Sequence, residues 1–526
     1  MVTRLPVGDL ARQATGALAQ NLPKAARSAG KKAAAAAKVV QADMTRAASG
    51  VLGISGERMS KVDTAWLRMD SPSNLMMIVG VWVLKPGIDY DALCDRVDER
   101  LLSYARFRQR VDEDAAGATW VEDPDFDIHR HVRKIKLPRA GKGQTQQQRL
   151  QDYMGEVATT PLDHNHPLWQ MDLIESYERG SALVVRIHHC IADGIALISV
   201  MMSLVDGGEA HHKRSAARAP KAGPEDWIAN ALIKPLTGMA VKALDVAGEG
   251  AAKSLAMLTH PQEGLAESMD LARLGFQVLQ DAAALALMPN DSPTRLKGNP
   301  GTVKRVAWCQ PVALDRVKAV CKSLNASVND VLLSSVAGAI GHYIASQGDP
   351  IKGREIRAMG PVNLRPLEEA WKLGNRFGLV PLVLPIGIAN PVERVYEVRR
   401  RMGKLKGSTQ PLLAFGLLAV AGLLIKPAQD AMLDLFGKKT TAVMTNVPGP
   451  REKLRFCGST LDQSLFWVPQ SGGIGLGVSI LSYGGGVQFG VITDTVLCPD
   501  PQNIIDAFEP EFERLEQATA SMAKEY

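Results

Sequence analysis

The stretch SALVVRIHHCIADGIALISVMM, Ser181–Met202, changes periodicity in its middle. Leu183, Val184, Val185 and Ile187 form a short, largely β-branched run that predicts a buried strand. His188 and His189 end it, and Cys190-Ile191-Ala192-Asp193-Gly194 turns the chain. Ile195, Ile198, Met201, Met202 and Val205 then recur at helical spacing. A histidine at such a strand end sits on rigid backbone beside a turn that can leave one face open to a substrate.

Two adjacent histidines invite a metal reading. Neighbours in a strand point to opposite faces, so they chelate poorly, and no Cys/His/Asp set stands nearby at zinc spacing. No metal is expected. The pattern His188-His189-x-x-x-Asp193-Gly194 fixes four positions, so chance would produce it on the order of 0.003 times in a chain of this length. It therefore carries information.

It resembles the HHxxxDG signature of the coenzyme A-dependent acyltransferase superfamily. Other elements narrow the resemblance to bacterial wax ester synthase/diacylglycerol acyltransferases. Val62-Asp63-x-x-Trp66-Leu67 is similar to their opening V-D-x-x-F/W-L turn, and Pro161-Leu162 with Pro167-Leu168-Trp169 to their PLxxxxPLW element. Asn329-Asp330-Val331, Pro361-Val362-x-x-Arg365, Gly374-Asn375 and Asn446-Val447-Pro448-Gly449-Pro450 follow in the family's order. The resemblance runs from about residue 59 to 520.

It implies an α/β fold of two chloramphenicol acetyltransferase-like domains, each a mixed sheet with helices, joined by a long helical crossover. The expected division is a basic Ala/Lys-rich extension at 1–57, an N-terminal domain with the histidine motif at 58–206, the crossover at 207–300 and a C-terminal domain at 301–526. The implied reaction moves a fatty acyl group from acyl-CoA to a long-chain alcohol or to diacylglycerol. His189 would be the general base, with no covalent intermediate and no cofactor beyond acyl-CoA as substrate. An imidazole suits this work, since it takes the hydroxyl proton and returns it to the leaving thiolate.

His188 has the opposite strand face and is expected to pack or support the turn. The resemblance makes Asp193 a structural partner of an arginine, Arg186 or another, and Gly194 admits close approach of a ligand. Asn329 and Asp330 can each cap a helix through a side-chain oxygen. By resemblance they also stand on the second domain's side of the active site, where an amide holds substrate or the developing oxyanion. Pro167, Leu168 and Trp169 are read as shape rather than chemistry.

Two other readings are kept open. One is a condensation-domain-like acyltransferase, which normally comes with carrier or adenylation modules. The other is a non-catalytic lipid-surface protein on the same fold. A catalytic triad is disfavoured, because no G-x-S-x-G elbow is present. Gly472-Gly473-Ile474-Gly475-Leu476-Gly477 precedes a strand rather than a helix, so it fails as a dinucleotide loop.

Composition sets the remaining bounds. The 526 residues are 46% hydrophobic and 22% charged, as in globular proteins. Six scattered cysteines without CxxC pairs fit a reduced, cytoplasmic setting. Residues 1–60 hold nine basic and three acidic side chains, which accounts for the whole formal charge of +6. The core is neutral, and no nucleic-acid partner is expected. Lys24, Arg27, Lys31 and Lys38 fall on one helical face, suited either to an anionic membrane or lipid-inclusion surface or to a solvated tail. Pro411–Ile425 is the longest apolar run, too short to span a bilayer and readable as a buried or an interfacial helix.

Overall fold

The computed structural model describes residues 56–114, 117–208, 288–365, 372–405 and 426–522. The basic stripe of residues 24–38, most of the expected crossover and the apolar run Pro411–Ile425 lie outside the described residues.

Helix α1 (Lys61–Arg68) starts at the N-cap Ser60, whose hydroxyl accepts from the Asp63 amide. Strand β1 (Met77–Lys85) leads to α2 (Tyr90–Arg96) and the hairpin of β2 (Gln109–Asp114) and β3 (Gly117–Glu122). Strand β4 (Val132–Lys134) precedes α3 (Gln146–Thr159), which opens on a reciprocal capping box of Thr145 and Gln148. The hairpin of β5 (Trp169–Tyr177) and β6 (Gly180–His188) then runs into α4 (Gly194–Leu204).

The second half begins with β7 (Lys304–Trp308), the short β8 (Val312–Ala313), α5 (Leu314–Leu324) and α6 (Val328–Ser346). Strands β9 (Ile356–Asn363) and β10 (Phe377–Leu384), helices α7 (Pro391–Leu405) and α8 (Lys426–Lys439), and strand β11 (Ala442–Pro448) follow. Strands β12 (Arg455–Phe456), β13 (Ser459–Trp467), β14 (Leu476–Tyr483) and β15 (Gly486–Asp494) and helix α9 (Pro501–Met522) close the described chain.

The strands form two large mixed sheets. One runs β12-β13-β1-β6-β5-β4, antiparallel except for the β4–β5 pair. The other runs β10-β9-β11-β14-β15-β7, with β8 also on β15, and is parallel at β9–β11 and β11–β14. Helices α5, α6, α7 and α9 pack together, and α9 lies against β15 and β7. Helix α6 is buried almost all round, which explains why its sequence is apolar on every face.

The predicted α/β class and two-sheet plan are present. Strand β13 was not anticipated. It buries Leu461, Leu465 and Trp467 and pairs with β1 across nearly four hundred positions. A sequence carries no local sign of so distant a partner.

Strand β6 is central in its sheet, between β1 and β5, and every residue from Ser181 to His188 is buried. That double coverage explains a run that is apolar but for Arg186. Helix α3 also approaches β7 closely, since a Cβ on Gly155 would lie 2.6 Å from the Lys304 carbonyl oxygen. The histidine pair is therefore carried on rigid, enclosed backbone.

Candidate active site

At the end of β6 the two histidines part. The His188 amide donates to the Leu168 carbonyl at 2.9 Å, and the His189 amide donates to Met76 O at 2.7 Å. Each thus continues the sheet toward a different neighbour. The side chains part as well. His188 Nε2 lies 3.3 Å from Asp70 Oδ2, while its Nδ1 accepts from the Cys190 amide at 3.2 Å. His188 is buried and does not line the cavity described below. Asp70 also takes the Met76 amide at 2.5 Å and faces His164. Burial pushes its carboxyl up, but hydrogen bonds from His164 and His188 outweigh this and hold it below the usual carboxylate range.

His189 lines a cavity of about 430 Å³. Trp66 stacks on its ring with centroids 4.1 Å apart, and Phe377 lies 5.4 Å away on a tilt. Its Nδ1 is buried and has no hydrogen-bond partner among the described residues. Burial, then the neighbouring His188, push its pKa down to about 3, against the opposing pull of its own backbone and the Asn375 amide. The imidazole is neutral at physiological pH, and its second nitrogen holds a lone pair or a proton as the tautomer dictates.

The turn after His189 is fastened by residues from the second half. Asp193 caps α4, its Oδ1 accepting the Ala196 amide at 2.9 Å. Its Oδ2 accepts the Arg376 amide at 2.9 Å and Arg365 Nη2 at 3.1 Å. The arginine that pairs with Asp193 is Arg365. Arg186 instead donates to Val157 O, Thr160 O and Gln170. Gly374, at φ +104°, exchanges backbone bonds with the turn, its N–H donating to Ile191 O and its carbonyl accepting from the Asp193 amide. Next to it, Asn375 Nδ2 donates to His189 O at 2.7 Å and to Asp63 Oδ1 at 2.8 Å. Burial raises the Asp63 carboxyl, and the Asn375 hydrogen bond opposes that rise.

The cavity wall joins both halves. Ile195 and Ile198 of α4 line it together with Leu379 of β10, Val443 of β11 and Val468. Gly194 and Asn329 line it as well. Asp330 does not. It sits third in α6, where its Oδ2 accepts the Ser327 amide at 2.9 Å and its amide donates to Ser327 Oγ. The cap itself is Ser327, so neither Asn329 nor Asp330 caps the helix by its own side chain at the N-cap position. Asn329 Oδ1 accepts from Asn446 Nδ2 at 2.7 Å instead.

A family model described as the wax ester synthase/diacylglycerol acyltransferase catalytic domain matches residues 59–332, and one for the WS/DGAT C-terminal domain matches residues 373–516. The chain belongs to the wax ester synthase/diacylglycerol acyltransferase family. It is an acyltransferase. A Mycobacterium tuberculosis protein named "probable diacylglycerol O-acyltransferase" is 26% identical over 82% of this chain and 89% of its own length. The O-acyltransferase WSD of Acinetobacter baylyi is 27% identical over 77% of this chain and 84% of its own. Among solved structures, the wax ester synthase/diacylglycerol acyltransferase of Marinobacter aquaeolei covers 88% of this chain and all of its own at a TM-score of 0.61 and 20% identity. The first condensation domain of a calcium-dependent antibiotic synthetase matches at a TM-score of 0.52 and 14% identity, covering 88% and 96%. Both share the fold.

Asp63, Trp66, Arg365, Asn375 and Asn446 were not assigned to the site from the sequence. Each lies in a family-like element that was legible there. What was missing was contact, since Asp63 and Asn375 meet across 312 positions.

Proposed function

We propose that this chain joins the acyl group of an acyl-CoA thioester to the hydroxyl of a long-chain alcohol or of diacylglycerol, with His189 as general base. The observation that carries it is the His189 ring on the wall of a largely apolar cavity, stacked on Trp66 and neutral at physiological pH. The alcohol oxygen attacks the thioester carbonyl carbon while its proton passes to the imidazole. The tetrahedral intermediate collapses, the C–S bond breaks, and the thiolate takes that proton back. An ester and free CoA thiol leave, so no redox partner or metal enters the balance. Trp66 and Phe377 keep water from the ring, and Asn375, Asp193 and Arg365 hold the turn that aims it. A condensation-type reaction is disfavoured by the matched family models, which span both halves.

The test is ester synthesis by the purified chain from a fatty acyl-CoA with hexadecanol or dioleoylglycerol. His189→Ala is expected to lower turnover by about a hundred-fold or more with the fold intact. Wild-type turnover in that variant would overturn the role of His189.

Attachment to a lipid surface belongs to the same proposal. Among the described residues no helix is long and apolar enough to cross a membrane. The basic residues of 1–57 would supply a salt-sensitive hold, about 1 kcal/mol for each side chain near an anionic surface. Co-sedimentation with anionic liposomes, with and without residues 1–57 and at two salt concentrations, tests it. Equal binding by both forms would remove the extension from the role.

A further inference from the structure

Asn329 and Asn446 are brought together on the cavity wall from the start of α6 and the end of β11. Asn446 Nδ2 donates to Asn329 Oδ1 at 2.7 Å. That bond has a chemical consequence. An amide whose oxygen is held as an acceptor must turn its NH2 the other way. The Nδ2 of Asn329 makes no hydrogen bond among the described residues, and it belongs to a residue that lines the cavity.

We infer that Asn446 is a positioning residue, which holds the Asn329 amide with its N–H donors toward the reacting carbonyl. This rests on the acyl-transfer reading. In that reaction negative charge grows on the thioester oxygen, and only a donor stabilises it. The opposite rotamer of Asn329 would present a lone pair to the same oxygen and repel it. An asparagine amide chooses between these two nearly isosteric states by its partners alone. Asn446 supplies a donor to that choice, while the neighbouring cap is already satisfied within the Ser327–Asp330 pair. The inference gives Asn446, in the Asn446-Val447-Pro448-Gly449-Pro450 element, a role distinct from shaping the turn.

Changing the partner's hydrogen-bond polarity tests it. Asn446→Ala removes the donor and leaves Asn329 free to take either state. Asn446→Asp replaces the donor by an acceptor and turns the Asn329 amide round. Loss of an oxyanion donor costs about a hundred- to a thousand-fold in kcat. The expected order is therefore a fall in kcat of roughly ten-fold for Asn446→Ala and roughly a hundred-fold for Asn446→Asp, with KM for acyl-CoA little changed. In an Asn329→Ala background both changes are expected to lose their effect, because the amide they orient is gone.

Equal losses for the two variants in the wild-type background would overturn the inference. So would losses that persist undiminished in the Asn329→Ala background, as a purely structural role requires. Wild-type turnover and its fall in His189→Ala, read in the same assay, bear on the acyl-transfer reading. The coupling between positions 446 and 329 bears on this one.

Discussion

Arg365 and Asp193, 172 positions apart, form a buried ion pair with Nη2 3.1 Å from Oδ2, and both side chains are almost fully enclosed. The same carboxylate caps α4 through its other oxygen. One residue therefore fixes the start of the helix and ties the histidine turn to the second half.

Removing Arg365 leaves the Asp193 carboxylate buried without that counter-ion, which costs about 3–5 kcal/mol in comparable pairs. Arg365→Met is expected to lower the unfolding free energy obtained from urea titration by an amount in that range, and Asp193→Asn to lower it while sparing most of the cap. The double variant should lose much less than the two losses combined. Strict additivity in equilibrium unfolding would show that the pair does not act as a unit.

The burial of His189 predicts an unusual pH profile. Its folded pKa of about 3 lies below the ordinary 6.5. The base form is thus full across the neutral range, and kcat should stay level from about pH 8 to about pH 5 as far as this ring is concerned. Stability follows from the same shift. Below 6.5 the unfolded chain takes up a proton that the folded chain refuses, so stability falls as pH drops from 6.5 toward 3. His189→Gln should flatten that part of the stability curve. An acid limb in kcat centred near 6.5, absent from the stability data, would contradict the enclosed ring.

The two histidines should respond differently to removal. His188 bonds Asp70, which lies between α1 and β1, and the Cys190 amide of the turn. His188→Ala leaves the Cys190 amide without its acceptor and takes one of several partners from Asp70, at roughly 1–3 kcal/mol. The expected signature is a lower midpoint of unfolding with kcat of the folded protein within about ten-fold of wild type. His189→Ala should show the reverse, a large kcat loss with a smaller change in midpoint. Matching kinetic losses in the two variants would assign His188 to the chemistry.

Cys190, beside His189, is the nucleophile that a covalent route would use. Its thiol is fully buried, and burial pushes it well above the ordinary thiol range. Cys190→Ala should turn over normally. Intact-mass measurement of the wild-type chain with acyl-CoA alone should show no acylated protein, as direct attack in a ternary complex requires. A mass increase of one acyl group that disappears in Cys190→Ala would overturn direct attack.

The sequence by itself determined the local pieces. Strand-to-helix periodicity around His188 and His189 was legible because a buried central strand must be apolar on both faces and an amphipathic helix must repeat at 3.6 residues. Neighbouring strand residues point apart, so the different surroundings of His188 and His189 follow from their adjacency alone. Capping was readable near α6, although the structure gives the N-cap to Ser327 rather than to Asn329 or Asp330. Only the tertiary structure decided which distant residues meet. Asp193 could pair with any buried arginine, and its choice of Arg365 over Arg186 depends on how the two halves pack. Asp63, Asn375 and His189 converge through a loop and a helix that no periodicity links. Strand β13 joins the first sheet because β1 has an open edge there, a fact set by the sheet's order. Local hydrogen-bond geometry is encoded within a few residues, whereas burial, and with it the pKa of His189, belongs to the assembled chain.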